Sequence, residues 1–286
     1  MKLQTRAVVS TLAVAATAAM ITSCAAAAPT DEAPEITTLT VGMSWPYEPW
    51  QVGDGTTVKD GIEPELLAAI GEKLDITFDI QNVDFTGIVT GTQSGKYDLA
   101  VSGLGVYGDR LKALNFIPDA KTGYTMVINA EDEDLYTTIG DLCGVEVAVL
   151  NATKSYNDIE LANATTEDDG SNWYGVCKDE PITFQAYDDQ AGQDLAFSTG
   201  KVDVGLLTEQ VAASYVEKSG GDYLVVEPYS YVPFGIGIPK EETELAEMLL
   251  KAFKEVVADG TYLKILEKYG QANSALTADE IVLLTD

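Results

Sequence analysis

Short apolar segments alternate with helix-patterned ones along most of the chain, and this alternation narrows the fold more than any other feature. LTVGM at 39–43 reads as a strand. EPELLAAIGEKL at 63–74 carries a helical stripe, with Pro64 early enough in the helix to be tolerated. Residues 76–80 alternate as a strand, 86–94 read as a helix and 97–101 as a further strand. A second series starts with the strand VEVAVL at 145–150. It continues with a helix from about Thr153, strands at 182–185 and 202–207, and helices at 190–197 and 209–217. YVPFGIGI at 231–238 is extended, and 242–257 and 262–269 are the clearest helices, parted by Asp259 and Gly260. Strands alternating with helices predict an α/β chain whose sheets are mainly parallel and flanked by helices. Two such series without a close internal repeat predict two lobes with a cleft between them.

Composition limits what such a cleft can do. The chain of 286 residues is long enough for one large or two medium domains. Its formal charge of -29 repels nucleic acid and anionic lipid, so no nucleic-acid partner is expected. There is no histidine, which removes Ser-His-Asp and Cys-His catalysis and histidine-ligated zinc. No cofactor or metal motif is visible. The acidic clusters at 132–134 and at Asp168 and Asp169 lack calcium-loop spacing and read as solvated loops.

The N-terminus reads as an export signal. Lys2 and Arg6 precede an apolar run over 7–21, then Thr22, Ser23 and Cys24. A cysteine after small residues resembles a bacterial lipoprotein signal, with Ile21 where leucine is usual. That resemblance implies cleavage of 1–23, lipid on the Cys24 thiol and a place outside the cytoplasm, anchored to the cell membrane. The run is short for a membrane-spanning helix. An uncleaved anchor or an ordinary signal is the alternative. Residues 1–23 carry two positive charges and no acid, so their loss takes the charge from -29 to -31. Residues 24–38 are small, acidic and proline-containing, as in a flexible tether. Cys143 and Cys177 then remain in an exported chain, which suggests a disulfide; two buried free thiols are the alternative.

The order of short motifs resembles the extracellular solute-binding proteins of bacterial ABC importers, in the amino-acid-binding class (solute-binding protein family 3). The resemblance runs from about residue 39 to 270. It includes YEPW at 47–50, DGI at 60–62, SGKYD at 94–98, GDR at 108–110, DLCG at 141–144, STGKVD at 198–203 and ADGTY at 258–262. It implies the two-lobed type II periplasmic-binding-protein fold, with lobe 1 made from 39–123 and 231–286 and lobe 2 from 124–230. Two hinge crossings are expected near 122–126 and 227–231. It also implies that Cys143 and Cys177 are bonded. The implied partners are a small solute (an amino acid or a derivative) and permease subunits, with the protein itself a monomer.

Apart from Arg6, Arg110 is the chain's only arginine. A guanidinium is a planar fork that engages a carboxylate through two parallel hydrogen bonds, which lysine cannot do. The resemblance makes Arg110 the holder of the ligand carboxylate; otherwise it is a surface arginine at a helix start. The resemblance places Gly103 and Gly105 against the same carboxylate, where turn chemistry alone is the alternative. It places Tyr47 on the ligand side chain and Phe85 opposite, where both could instead be lobe core. Ser44 falls where relatives carry a polar reading group, Trp50 matches a framework aromatic, and Trp45 and Tyr107 add aromatic surface. Thr153 could cap a helix and present its hydroxyl or the helix amides to the carboxylate, or cap the helix and nothing more.

The main departure from the family pattern is Thr208, where amino-acid binders usually carry an aspartate for the α-ammonium. A modified amino acid, or a zwitterion with a delocalised or quaternary cation, would suit a carboxylate fork and aromatic faces. The leading expectation is a binding protein without catalytic residues. A dehydratase-like enzyme would need an acid or base in the cleft, and Glu209 and Asp98 are its candidates. A sensory or adhesive module is a third reading, weakened by the lack of an output domain in the sequence.

Overall fold

The computed structural model describes residues 36–54, 56–166 and 173–285. The signal segment 1–23, Cys24, most of the tether, Asp168 and Asp169 lie outside the described residues.

The first series folds as β1 (Thr38–Met43), a small ribbon of β2 (Val52–Gly53) and β3 (Val58–Asp60), α1 (Ile62–Leu74), β4 (Thr77–Asn82), α2 (Ile88–Gln93), β5 (Leu99–Ala100) and α3 (Gly108–Ala113). β1 pairs in parallel with β4 on one side and β5 on the other. A long strand, β6 (Leu114–Asn129), then carries the chain into the second half. There the order is β7 (Glu146–Leu150), α4 (Lys154–Ala162), β8 (Thr183–Tyr187), α5 (Gln190–Ser198), β9 (Val204–Thr208), α6 (Glu209–Ser219) and β10 (Tyr223–Val225). β7 pairs in parallel with both β8 and β9. β11 (Ser230–Pro239) returns the chain, and α7 (Thr243–Ala258) and α8 (Thr261–Lys268) pack against the first half.

Each half thus holds a parallel trio, and the strands that cross between halves supply the antiparallel pairs. β6 pairs with β11 over Leu114 to Tyr124, and with β9 from Tyr124 onward. Tyr124 is therefore opposite both Ser230 and Thr208, at the point where β6 changes halves. Counted through these crossings, the order is β4-β1-β5-β11-β6-β9-β7-β8, with β10 on β6. The two-residue length of β5 reflects its surroundings. Only Leu99 and Ala100 find partners on β1, and the chain turns away at Gly103, whose φ of 57° favours glycine.

The first core packs α1 and α7 onto the sheet. On α7, Leu245, Ala246, Leu249, Ala252, Phe253 and Val256 are buried at helical spacing. Trp50, fully buried, meets Phe234 edge to face at 4.9 Å. The second core gathers Met126, Ile128, Val147, Val149, Ile159 and Leu206 around Cys177. Cys143 and Cys177 form the disulfide, with Sγ atoms 2.05 Å apart, so the free-thiol alternative does not hold.

Candidate functional site

The cleft lies where the carboxyl ends of β1, β5, β7, β8 and β9 converge, the usual ligand position in open α/β sheets. Seven of the eight sequence-selected residues line it: Ser44, Tyr47, Phe85, Gly103, Arg110, Thr153 and Thr208. Gly105 does not line it. Gly105 sits one step behind, where its carbonyl accepts from Arg110 Nη1 at 2.9 Å and a Cβ would meet the Tyr124 hydroxyl at 2.5 Å.

Arg110 stands in the short helix α3, capped at Tyr107 without a side-chain bond. Its guanidinium carbon lies 4.9 Å from the Tyr107 ring centre and 5.5 Å from that of Phe85, within cation–π range. Nη2 donates to the carbonyl of Ala152, in the other half, at 2.7 Å. These two backbone bonds use two of the five N–H donors of a guanidinium. The Arg110 head is thus fixed in the cleft, held between two aromatic faces, with donors left for an anion. Ala152 has a φ of 59°, so the turn that presents its carbonyl uses a left-handed non-glycine residue.

The remaining expected residues are committed in ways the sequence did not show. The Gly103 amide donates to Glu63, at 2.8 and 3.1 Å to its two carboxylate oxygens, rather than into the cleft. Thr153 caps α4: its hydroxyl accepts from the Tyr156 amide at 3.3 Å and donates to the Leu150 carbonyl at 2.7 Å. The plain capping role therefore occupies that hydroxyl. Tyr47 and Thr208 meet across the cleft, hydroxyl to hydroxyl, at 3.0 Å. Burial pushes the Tyr47 phenol up to about 12, so it stays a neutral hydrogen-bonding group. Trp50 belongs to the framework, as expected, and Trp45 and Tyr124 add to the cleft wall.

Beneath the Gly103 turn lies a buried acidic pair that the sequence reading missed. Glu63, in the first turn of α1, is 1% exposed and also accepts from the Gln51 amide. Asp119 is 2% exposed, and neither of its carboxylate oxygens has a hydrogen-bond partner. Asp119 is the extra residue of a bulge: Phe234 pairs with Ala120 and the next residue, Gly235, with Pro118. Burial raises the Asp119 carboxyl to about 7, and burial together with Asp119 holds Glu63 well above its ordinary range. Composition alone could not separate these two from the acids on the surface. The second half adds the β8–α5 turn, Asp188 to Gln190, whose place at a strand's carboxyl end was the available signal.

The two acids that catalysis would have used lie elsewhere. Asp98 accepts from the Thr40 amide and hydroxyl, both at 2.7 Å. Glu209 accepts from Gln210 Nε2 at 3.0 Å and is absent from the cleft lining.

The family model for "Bacterial extracellular solute-binding proteins, family 3" matches residues 39–272. The chain belongs to that family. The arginine-binding protein ArgT of Corynebacterium glutamicum is 27% identical over 234 residues, covering 81% of this chain and 74% of its own. The histidine-binding periplasmic protein of Salmonella typhimurium is 25% identical, with 80% and 86% covered. Among solved structures, an ancestral arginine-binding protein bound to arginine superposes with a TM-score of 0.72 at 28% identity, over 82% of this chain and 99% of its own. The fold is the two-lobed type II periplasmic-binding-protein fold. Among the described residues no helix is long and apolar enough to cross a membrane.

Proposed function

We propose that this protein captures an amino acid or a related zwitterionic carboxylate between its lobes, outside the cytoplasm, and delivers it to the permease of an ABC importer. The observation that carries this reading is Arg110, fixed in the cleft between two aromatic rings with hydrogen-bond donors to spare. The guanidinium takes the carboxylate, while Tyr47 and Phe85 give the rest of the solute apolar faces. The binding properties named for the relatives agree with this chemistry. Closure swings lobe 124–230 against lobe 39–123 and 231–286 about the crossings at 122–126 and 227–231. Mass spectrometry of solute carried through purification identifies the ligand directly. Calorimetry with that solute is expected to show binding that Arg110→Ala abolishes. Full affinity in the variant, or no binding of any carboxylate, contradicts the reading.

The Cys24 signal further supports a lipid anchor. The expected outcome is a detergent-phase protein in cells that becomes aqueous in Cys24→Ser. An aqueous wild-type protein contradicts it. Delivery is tested by solute uptake in cells with and without the gene.

A further inference from the structure

The cleft holds a second cation besides Arg110. The Thr153 hydroxyl is taken up by capping, but the next residue, Lys154, opens α4 and lines the cleft. Its side chain is 13% exposed. Nζ donates to the two carboxylate oxygens of Asp158, one turn on, at 2.7 Å each. Asp158 itself is 1% exposed and does not line the cleft. An ammonium has three donors, and among the described residues Nζ has no other acceptor. At least one N–H is therefore left for a ligand.

Lys154 and Arg110 come from different halves and meet at one tyrosine. Lys154 Nζ lies 5.9 Å from the centre of the Tyr124 ring, within cation–π range. The Tyr124 hydroxyl abuts Gly105, where a Cβ would lie 2.5 Å from it. The Gly105 carbonyl is the one that accepts from Arg110 Nη1. Tyr124 also lines the cleft, with one cation at its ring and the other at the carbonyl beside its hydroxyl. Asp158 balances Lys154, while among the described residues Arg110 has no acid in ion-pair range. Asp188 and Asp189 line the cleft as well, and their carboxylates bond Asn151 and the Gly192 amide rather than either cation. The two cations thus carry one positive charge without a partner, which an anionic head group offsets.

We propose that Lys154 is a second carboxylate-binding residue, whose spare N–H and the Arg110 fork hold one solute carboxylate from the two halves. Each half then contributes a cation to the same anion, so the head group itself draws the halves together. Asp158 orients Lys154 and balances its charge while the cleft is empty. The head group has to be a full anion, because a neutral carboxamide gives up the charge-assisted bonds to both cations. This inference rests on the reading that Arg110 holds the solute carboxylate.

The test screens the full chain by thermal shift against the common L-amino acids and the co-purified solute. The tightest binder goes to calorimetry beside its carboxamide. The wild type is expected to favour the acid by at least about 30-fold. Lys154→Met combined with Asp158→Asn removes both charges and leaves no buried ion unpaired. In that double variant the acid-to-amide ratio is expected to fall about tenfold, while affinity for the amide changes by less than about threefold. Lys154→Gln with Asp158→Asn takes its place if the first does not fold. Lys154→Arg keeps a donor and a charge, and is expected to hold the ratio within about threefold of wild type. A purely structural role would weaken acid and amide together. An unchanged ratio in the double variant therefore overturns the inference, as does a ratio lost equally in Lys154→Arg. Either result leaves the carboxylate reading standing, since Arg110→Ala tests that reading by itself. A screen in which no carboxylate binds overturns both.

Discussion

Arg110 and Asp119 are opposite cases of a charged group placed by its neighbours. Arg110 is positioned by two carbonyls and two rings, and its value lies in shape as much as charge. Arg110→Lys keeps the charge but loses the fork, and affinity for the carboxylate solute is expected to fall roughly 30-fold, about 2 kcal/mol, by calorimetry. Asp119 has no cation and no donor, so the fold favours its protonated form. An unfolded aspartate titrates near 3.9, about three units below the folded value. Between these two values the native state holds the proton that the unfolded state has lost. Stability is therefore greatest below about pH 4 on this account alone, falls as pH rises, and levels off above about 7. Denaturant titration should show a loss of about 3 kcal/mol between pH 5 and pH 8. Asp119→Asn should remove much of that slope, leaving the part due to Glu63. A wild-type stability that rises with pH over this range would show the pair to be ionised in the fold.

Among the elements, the strands and helices with strong periodicity were legible in the sequence. The helices expected at 242–257 and 262–269 appear as α7 and α8, one residue displaced. The strand expected at 97–101 shrinks to β5, because pairing rather than propensity sets its ends. The long β6 was legible only as a crossing near 122–126. It is buried on both faces, contains Pro118, Asp119 and Gly123, and so shows no alternation. The cleft residues tied to short motifs were also legible, and seven of the eight line it. Glu63, Asp119 and Gln190 were not, because their burial depends on contacts between distant segments. The disulfide, expected from the export signal and the family pattern, closes a 34-residue separation within the second half. Replacing both cysteines by serine should cost about 3 kcal/mol, read as a lower melting temperature. Unchanged stability would mean that the second half needs no such tie.

At the scale of the whole molecule, the halves meet through few polar contacts. At the cleft Tyr47 touches Thr208, Arg110 and Tyr107 touch Ala152, and the exposed Lys218 pairs with Glu48 at 2.7 Å, while beside the crossing strand the buried Gln210 bonds Thr122, the Lys121 carbonyl and Ser274. Surface pairs like Lys218 with Glu48 contribute little, so closure should depend on the solute rather than on a latch. The charge of -29 spread over the chain repels itself, and its screening should raise the melting temperature between about 0.01 and 0.5 M salt. A melting temperature that falls with salt would place ion pairs above repulsion. The proposed reading of the site rests on a carboxylate held by Arg110, and the most direct measurement compares the co-purified solute with its carboxamide by calorimetry on the wild type and on Arg110→Ala. The expected result is an amide at least about 30-fold weaker on the wild type, with the difference gone in the variant. Equal binding of acid and amide by the wild type would contradict the central claim.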